Sequence, residues 1–276
     1  TLDKDYYQGK KAWTEKFWNE CKGNTECISP VPNKSSVDFD LMETVSSVRD
    51  IWNDLFDHFL RTDKFTHIQP KRDASFGFCF YALTVTQEGL ASSGKLVTAK
   101  LALRMLAEIY ITFNYLISVR DEKLWDIYRS YGSGQAKLTF LKLEEILENQ
   151  PGYIKKENVE ALANEDIYMD FQNISLGNWA NIDLRKMSQV AGCKSIYDAY
   201  YAWPSSYVHG QWCAIRDVVF TTCHNPLHRL HRIPRLAPRY EDGAENDLIL
   251  LFNKVLDLLN EIYPSFDKRA ELVQKL

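Results

Sequence analysis

The chain has 276 residues, of which 45% are hydrophobic and 25% are charged, close to the average of globular proteins. This composition excludes disordered, collagen-like and low-complexity proteins, and a chain of this length buries enough surface to fold without disulfides or a structural metal. The formal net charge of −4 argues against a surface that is basic all over, but it leaves room for a local basic patch.

The six cysteines are scattered along the chain and include no CxxC pair. This pattern is typical of reduced thiols in a cytoplasmic protein, although Cys21 and Cys27 are near enough in sequence to close a small loop. The chain starts at Thr1 and not at a methionine, which leaves open that a leader was removed before this residue. Three charged side chains interrupt the longest apolar stretch, residues 96–119, and we therefore expect no membrane-spanning helix.

The first part of the chain predicts helices joined by polar turns. Residues 1–20 are predicted as a lead-in helix, residues 21–36 as a loop rich in Gly, Asn, Ser and Pro, and residues 36–60 as a strongly amphipathic helix. Residues 76–91 fit either a buried helix or a strand, and a helix is favoured because no second strand is evident and a lone strand is not stable.

The middle of the chain predicts further helices. Residues 96–131 indicate a long helical stretch bent near Asp121, followed by a turn at residues 132–135. Residues 136–149 predict another helix, and residues 155–170 predict a polar, exposed one.

The last third is more interrupted. A short helix is predicted after Asp183 and is stopped by Gly192, and a proline favours a new helix over residues 205–220. Residues 224–240 contain three prolines and are predicted as a loop or extended arm. Residues 247–262 predict an amphipathic helix, after which a last short helix is expected to close the chain.

Together these elements predict an all-α fold, a single-domain bundle of about eight to ten helices over residues 1–276. Residues 1–35 would form the lead-in helix and loop, residues 36–223 the core bundle, residues 224–240 a basic arm and residues 241–276 the C-terminal helices.

The first candidate site is a charged pair in an apolar helix. Arg104 and Glu108 are four residues apart, so they share one helix face. Because burying either charge alone is costly, the two side chains form either an ion pair at a surface or the charged lining of a cleft.

The second candidate site lies in the helix predicted over residues 205–220. Ser206, His209, Cys213 and Arg216 would project on one stripe, which gives an imidazole near a hydroxyl and a guanidinium. Such a group can perform acid–base chemistry, and an arginine there can hold a phosphate or carboxylate. In the alternative interpretation, Ser206 caps the helix and His209 is a hydrogen-bonded core histidine.

The third candidate is the basic arm, whose basic side chains are accompanied by no acid: His224, His228, Arg229, His231, Arg232, Arg235 and Arg239. It is either a phosphate-binding patch for RNA or a nucleotide, with Arg229, Arg232 and Arg235 as contacts, or a solvated loop. Its histidines suggest a metal, but no Cys or carboxylate lies among them at a known spacing, so we predict no metal site and no cofactor. The chain also lacks the GxGxxG, GxxxxGK[ST], HExxH and GxSxG motifs.

Two of these segments resemble an uncharacterised bacterial family of unknown function, number 5677. They are LRMLAEIYITFNYL, with Arg104 and Glu108, and YYAWPSSYVHG, with Tyr201, Ser206 and His209. Members share an Arg-x-x-x-Glu helix and a downstream Tyr followed by Ser-x-x-His, and the similarity covers roughly residues 76–219. The resemblance implies a helical fold and kinship with HEPN-type domains, many of which are RNA-cleaving toxins or defence effectors.

HEPN ribonucleases pair an arginine with a histidine that follows after roughly four to six intervening residues. The nearest form here is Arg216 and His224, whose separation is one residue longer than that range. The resemblance thus suggests a cytoplasmic defence or toxin-type effector that cleaves RNA without a metal. His209, beside the Ser206 hydroxyl, would be its acid–base group, with His224 as the alternative.

Arg104 and Arg216 would bind phosphate in that scheme, and Glu108 would orient Arg104 or His209. The alternative is a non-catalytic helical sensor or scaffold that acts through protein contacts or a small ligand. RNA or a nucleotide, and further copies of the chain, are the expected partners.

Overall fold

The computed structural model describes residues 2–29, 39–62, 66–146, 152–164, 177–236, 239–241 and 243–273. Within these ranges the all-α prediction is confirmed, because strands occur only as two short pairs. The helices are α1 (Leu2–Asn24), α2 (Leu41–Thr62), α3 (Pro70–Ala91), α4 (Leu96–Val119), α5 (Glu122–Glu145), α6 (Lys156–Asn164), α7 (Leu184–Val190), α8 (Lys194–Ile196), α9 (Ser205–Val208), α10 (Trp212–Val219) and α11 (Ala244–Ile262).

Four short strands complete the elements: β1 (Gly94–Lys95), β2 (Phe220–Thr222), β3 (Arg232–Pro234) and β4 (Tyr240–Glu241). Strand β1 pairs antiparallel with β4, and β2 pairs antiparallel with β3, with Thr221 opposite Ile233. The arm predicted over residues 224–240 as a loop or extended segment contains a 3₁₀ turn (Pro226–His228) and strand β3, which forms a β-hairpin with the preceding strand β2.

The core is formed by α2, α3, α4 and α11, whose apolar faces meet around fully buried side chains such as Phe76, Phe113 and Phe252. The approach of α3 to α4 and α11 is close at Gly89. A Cβ at this position would lie 3.0 Å from the Cβ of Ala102 and 3.0 Å from a methyl carbon of Leu248. A larger residue at this point of α3 would force its neighbours on α4 and α11 to shift.

The predicted stretch over residues 96–131 is two helices. Helix α4 ends where Arg120 adopts a left-handed conformation with φ 56°, and the Asp121 carboxylate then caps α5 by accepting a hydrogen bond from the Lys123 backbone N–H. The turn predicted at residues 132–135 is wrong, because α5 continues through them. Each glycine in a helix costs only about 1 kcal/mol, which packing of the surrounding helix offsets. Residues 147–149 of the predicted helix lie outside the described residues.

The helix predicted over residues 205–220 is also wrong as a single element. Gly210 has φ +57°, and this left-handed residue separates α9 from α10. The predicted closing helix is absent from the described residues 263–273. There the Asn253 side chain accepts a hydrogen bond from the Ala270 N–H and donates one to the Ala270 carbonyl, both at 2.8 Å, which holds the segment against α11.

Between α8 and α9 the chain forms a π-helical segment (Tyr197–Ala202). The segment packs against α4, and its Tyr200 hydroxyl donates a hydrogen bond of 2.8 Å to Asp247 of α11. A turn of this kind often occurs at functional sites. Among the described residues, none of the helices combines the length and the apolar character needed to cross a bilayer.

Candidate functional site

The Arg104 side chain joins three elements. Its Nε donates to Ser205 Oγ at 3.1 Å, its Nη2 donates to the Tyr201 hydroxyl at 3.0 Å, and its Nη1 lies 3.4 Å from Oε2 of Glu108. The guanidinium also lies over the Tyr201 ring, 4.7 Å from the centroid. Because only 19% of the Arg104 side chain is exposed, these partners fix it in one position. The predicted pairing of Arg104 with Glu108 is therefore present.

Glu108 lines a cavity of about 390 Å³, which lies between α3, α4, α5 and the loop that carries Trp179. Aromatic rings form much of its wall: Phe78 and Tyr128 lie 5.2 Å apart between centroids, and Tyr128 and Trp179 lie 5.1 Å apart in an edge-to-face arrangement. Cavities of this size that combine apolar walls with a few polar groups are typical ligand sites. The Glu108 carboxylate, with 45% of its side chain exposed, is the charged group of this wall.

Tyr128 contributes a hydroxyl that stays protonated. Burial, the nearby Glu108 charge and Tyr81 raise the pKa of Tyr128 to about 12. Near neutral pH this side chain is therefore a neutral phenol.

The stripe predicted from Ser206 to Arg216 is not formed. Ser206 is buried and its hydroxyl donates to the Trp203 carbonyl at 2.8 Å, whereas His209 is exposed at the end of α9 and Arg216 is exposed on α10. Gly210 breaks the helix between them, so the four positions no longer share one face. In the part of the chain that the structure describes, no hydrogen bond or ion pair joins His209 to Arg104.

Sequence reasoning missed the serine that contacts Arg104. The Ser-x-x-His motif indicated Ser206, but the neighbouring Ser205 accepts the hydrogen bond from Arg104. The available signal was the proline at 204, which places Ser205 in the first turn of α9, next to the Tyr201 segment.

The arginines of the basic arm contact the protein itself. Arg229 lies 5.1 Å above the Trp18 ring, and the Arg235 Nε donates to the Phe220 carbonyl at 3.1 Å. Arg232 donates to the Thr222 hydroxyl, and Arg239 pairs with Asp217. These contacts hold the hairpin together, and phosphate binding by the arm stays a prediction. His224 is exposed, and its backbone N–H donates to the Ile28 carbonyl at 2.7 Å.

A cluster of thiols and imidazoles lies at the loop of the hairpin, beside histidines whose sequence spacing predicted no metal site. Cys27, Cys223, His228 and His231 each bring one potential ligand atom to a common point, and these atoms all lie within 4.8 Å of one another. The sequence hid this cluster because Cys27 precedes His228 by 201 positions. Only the fold places it beside the arm.

Comparison with known proteins identifies a family. The model of DUF5677, a family of unknown function, matches residues 83–225, more than half of the chain. The matched segment contains Arg104, Glu108, Tyr201 and Ser205. No curated protein and no solved structure matches the chain significantly.

Proposed function

The chain belongs to the DUF5677 family, and we propose that it is a helical sensor module that binds a nucleobase-bearing small molecule in the cavity beside Glu108. The observation that carries this proposal is the carboxylate of Glu108, which Arg104 holds at the edge of an aromatic-lined cavity. Kinship with HEPN domains and a bacterial origin remain predictions.

The aromatic wall suits a flat ring. Tyr81 and Trp179 present ring surface to the cavity, with 52% of Tyr81 exposed. A base stacked on an aromatic side chain gains about 1–3 kcal/mol, and every nucleobase offers such a face. An aliphatic ligand would gain only the free energy of burying its apolar surface.

The polar groups suit a ring with N–H donors. A carboxylate only accepts hydrogen bonds, so Glu108 selects ring N–H or exocyclic amino groups. The Tyr128 phenol supplies a neutral donor or acceptor on another wall. Arg104 orients the Glu108 carboxylate through a contact of 3.4 Å, and its own hydrogen bonds to Tyr201 and Ser205 make it a positioning residue.

A nucleoside panel tests this proposal. Adenosine, guanosine, cytidine and uridine are titrated into the full chain by calorimetry, alongside Glu108→Gln. A hydrogen bond to a charged group contributes about 1.5–3 kcal/mol, so this variant should weaken binding roughly ten- to a hundredfold. Glu88→Gln on exposed α3 surface is the matched control and should bind as the unmodified chain does. Failure of all four nucleosides to bind saturably, or equal affinity in Glu108→Gln, would overturn the proposal.

The predicted metal-independent ribonuclease needs an acid–base group near a phosphate-binding arginine, and it remains a separate prediction. Incubation with total RNA, with and without EDTA, tests it beside His209→Ala. Cleavage that persists in EDTA and is lost in His209→Ala would favour an enzyme. Nucleoside binding without any cleavage favours the sensor.

A further inference from the structure

We propose that Cys27, Cys223, His228 and His231 bind one zinc ion, which fastens helix α1 to the hairpin of β2 and β3. The four ligand atoms all lie within 4.8 Å of one another. Two thiolates and two imidazoles form a donor set that zinc occupies in tetrahedral structural sites, whereas magnesium and calcium prefer oxygen ligands.

Three distances between a sulfur and a nitrogen ligand agree with the edges of a tetrahedron around zinc. Zn–S bonds of about 2.3 Å and Zn–N bonds of about 2.05 Å place a sulfur and a nitrogen ligand about 3.5 Å apart. Cys27 Sγ lies 3.2 Å from His231 Nε2 and 3.5 Å from His228 Nδ1, and Cys223 Sγ lies 3.3 Å from the same Nδ1. One central ion satisfies all three distances.

The orientation of His228 suits a metal ligand. Its Nε2 lies 2.8 Å from the Thr25 hydroxyl, which itself donates to the Cys21 carbonyl at 2.7 Å. Thr25 therefore accepts from Nε2–H, which leaves an unprotonated Nδ1 facing both sulfurs. A second partner of this kind on the remote ring nitrogen is typical of histidines that bind metals.

The backbone of the hairpin loop is strained in a way that brings the two histidines together. Arg229 and Leu230, between the histidines, have φ 50° and 55°, a left-handed conformation that is unfavourable for residues other than glycine. This conformation places the rings of His228 and His231 at 5.2 Å between centroids. Metal binding would offset that strain.

Helix α1 has few contacts of its own with the core, so a metal site at its C-terminal end would anchor it to the hairpin. Within residues 8–24, whose side chains are described, none is buried, and Trp13 is 66% exposed. Its end is held instead beside the cluster, where the Asn225 side chain donates to the Glu26 carbonyl at 2.8 Å and the His224 N–H donates to the Ile28 carbonyl. All four positions around the ion are filled by protein, so the site is structural and offers no place for a catalytic water.

Elemental analysis of the purified full chain, loaded with zinc and desalted, tests the proposal. We expect about one zinc per chain, in line with tight structural sites. Cobalt substitution should give the strong visible bands of a tetrahedral ion and a thiolate-to-cobalt charge-transfer band. Cys27→Ser and His231→Ala should each lose the metal, and Cys213→Ser, a thiol outside the cluster, should retain it.

Hydrogen exchange gives a second readout. Chelation should accelerate amide exchange in α1 of the unmodified chain, while Cys27→Ser should exchange rapidly with or without chelator. A disulfide between Cys27 and Cys223, an octahedral cobalt spectrum, or full zinc content in both ligand variants would overturn the proposal. None of these results depends on nucleoside binding.

Discussion

Replacing Arg104 with lysine keeps the positive charge but removes the planar guanidinium group and its several N–H donors. The lysine ammonium cannot reach Ser205 Oγ and the Tyr201 hydroxyl in the same geometry as the Nε and Nη2 donors, which lie 3.1 and 3.0 Å from them. Arg104→Lys therefore separates the role of the guanidinium geometry from the role of its charge.

The expected loss follows from these contacts. A hydrogen bond from a charged donor contributes about 1.5–3 kcal/mol, and lysine retains part of this with one partner. The ion pair with Glu108 contributes only about 0.3–0.5 kcal/mol, because it is an i, i+4 pair with a half-exposed carboxylate. We therefore expect Arg104→Lys to lower the free energy of unfolding by about 2 kcal/mol, and Glu108→Gln to lower it by less than about 1 kcal/mol.

Urea denaturation followed by tryptophan fluorescence measures both values. Arg49→Lys, at an exposed position of α2, is the control and should leave the midpoint unchanged. A shift in midpoint at constant slope would mark a change in stability alone. If Arg104→Lys unfolds at the same urea concentration as the control, the guanidinium fork does not tie α4 to the π-helical segment.

Two further predictions concern packing and ionisation. Gly89→Ala should lower the melting temperature, because the new methyl group presses on buried side chains of α4 and α11. Gly77→Ala, which has open space around it, should raise the melting temperature slightly. Calorimetry that shows equal shifts for the two variants would refute this packing argument. The pKa of Tyr128 is about 12 in the folded chain and 10 as its reference value. The contribution of Tyr128 to the free energy of unfolding is therefore complete below pH 10 and is lost as the pH rises towards 12, by up to about 3 kcal/mol. Tyr128→Phe should make the stability less sensitive to pH in that window, measured as urea midpoints from pH 9 to 11, while Tyr153→Phe, 86% exposed, should not.

The helical core could be predicted from local sequence. The apolar spacing of residues 36–60 and 247–262 predicted α2 and α11, and the i, i+4 relation predicted that Arg104 and Glu108 share one face. These features depend on residues within a few turns of each other, where helix periodicity is informative.

The remainder depends on long-range contacts that a single sequence does not reveal. The hairpin around His228 contains two prolines and no alternating pattern, so nothing local indicated that β2 pairs with β3. The partner of its thiol and imidazole groups, Cys27, comes from the other end of the chain. Similarly, the left-handed Gly210 divides a segment whose composition suits one continuous helix.

The π-helical segment makes two successive tyrosines serve different helices. Tyr200 reaches Asp247 on α11, while Tyr201 reaches Arg104 on α4 and stacks on Tyr197 at 5.0 Å. Such an arrangement depends on the number of residues in the turn as well as on the two phenols. Deleting one residue there would rotate one phenol away from its partner.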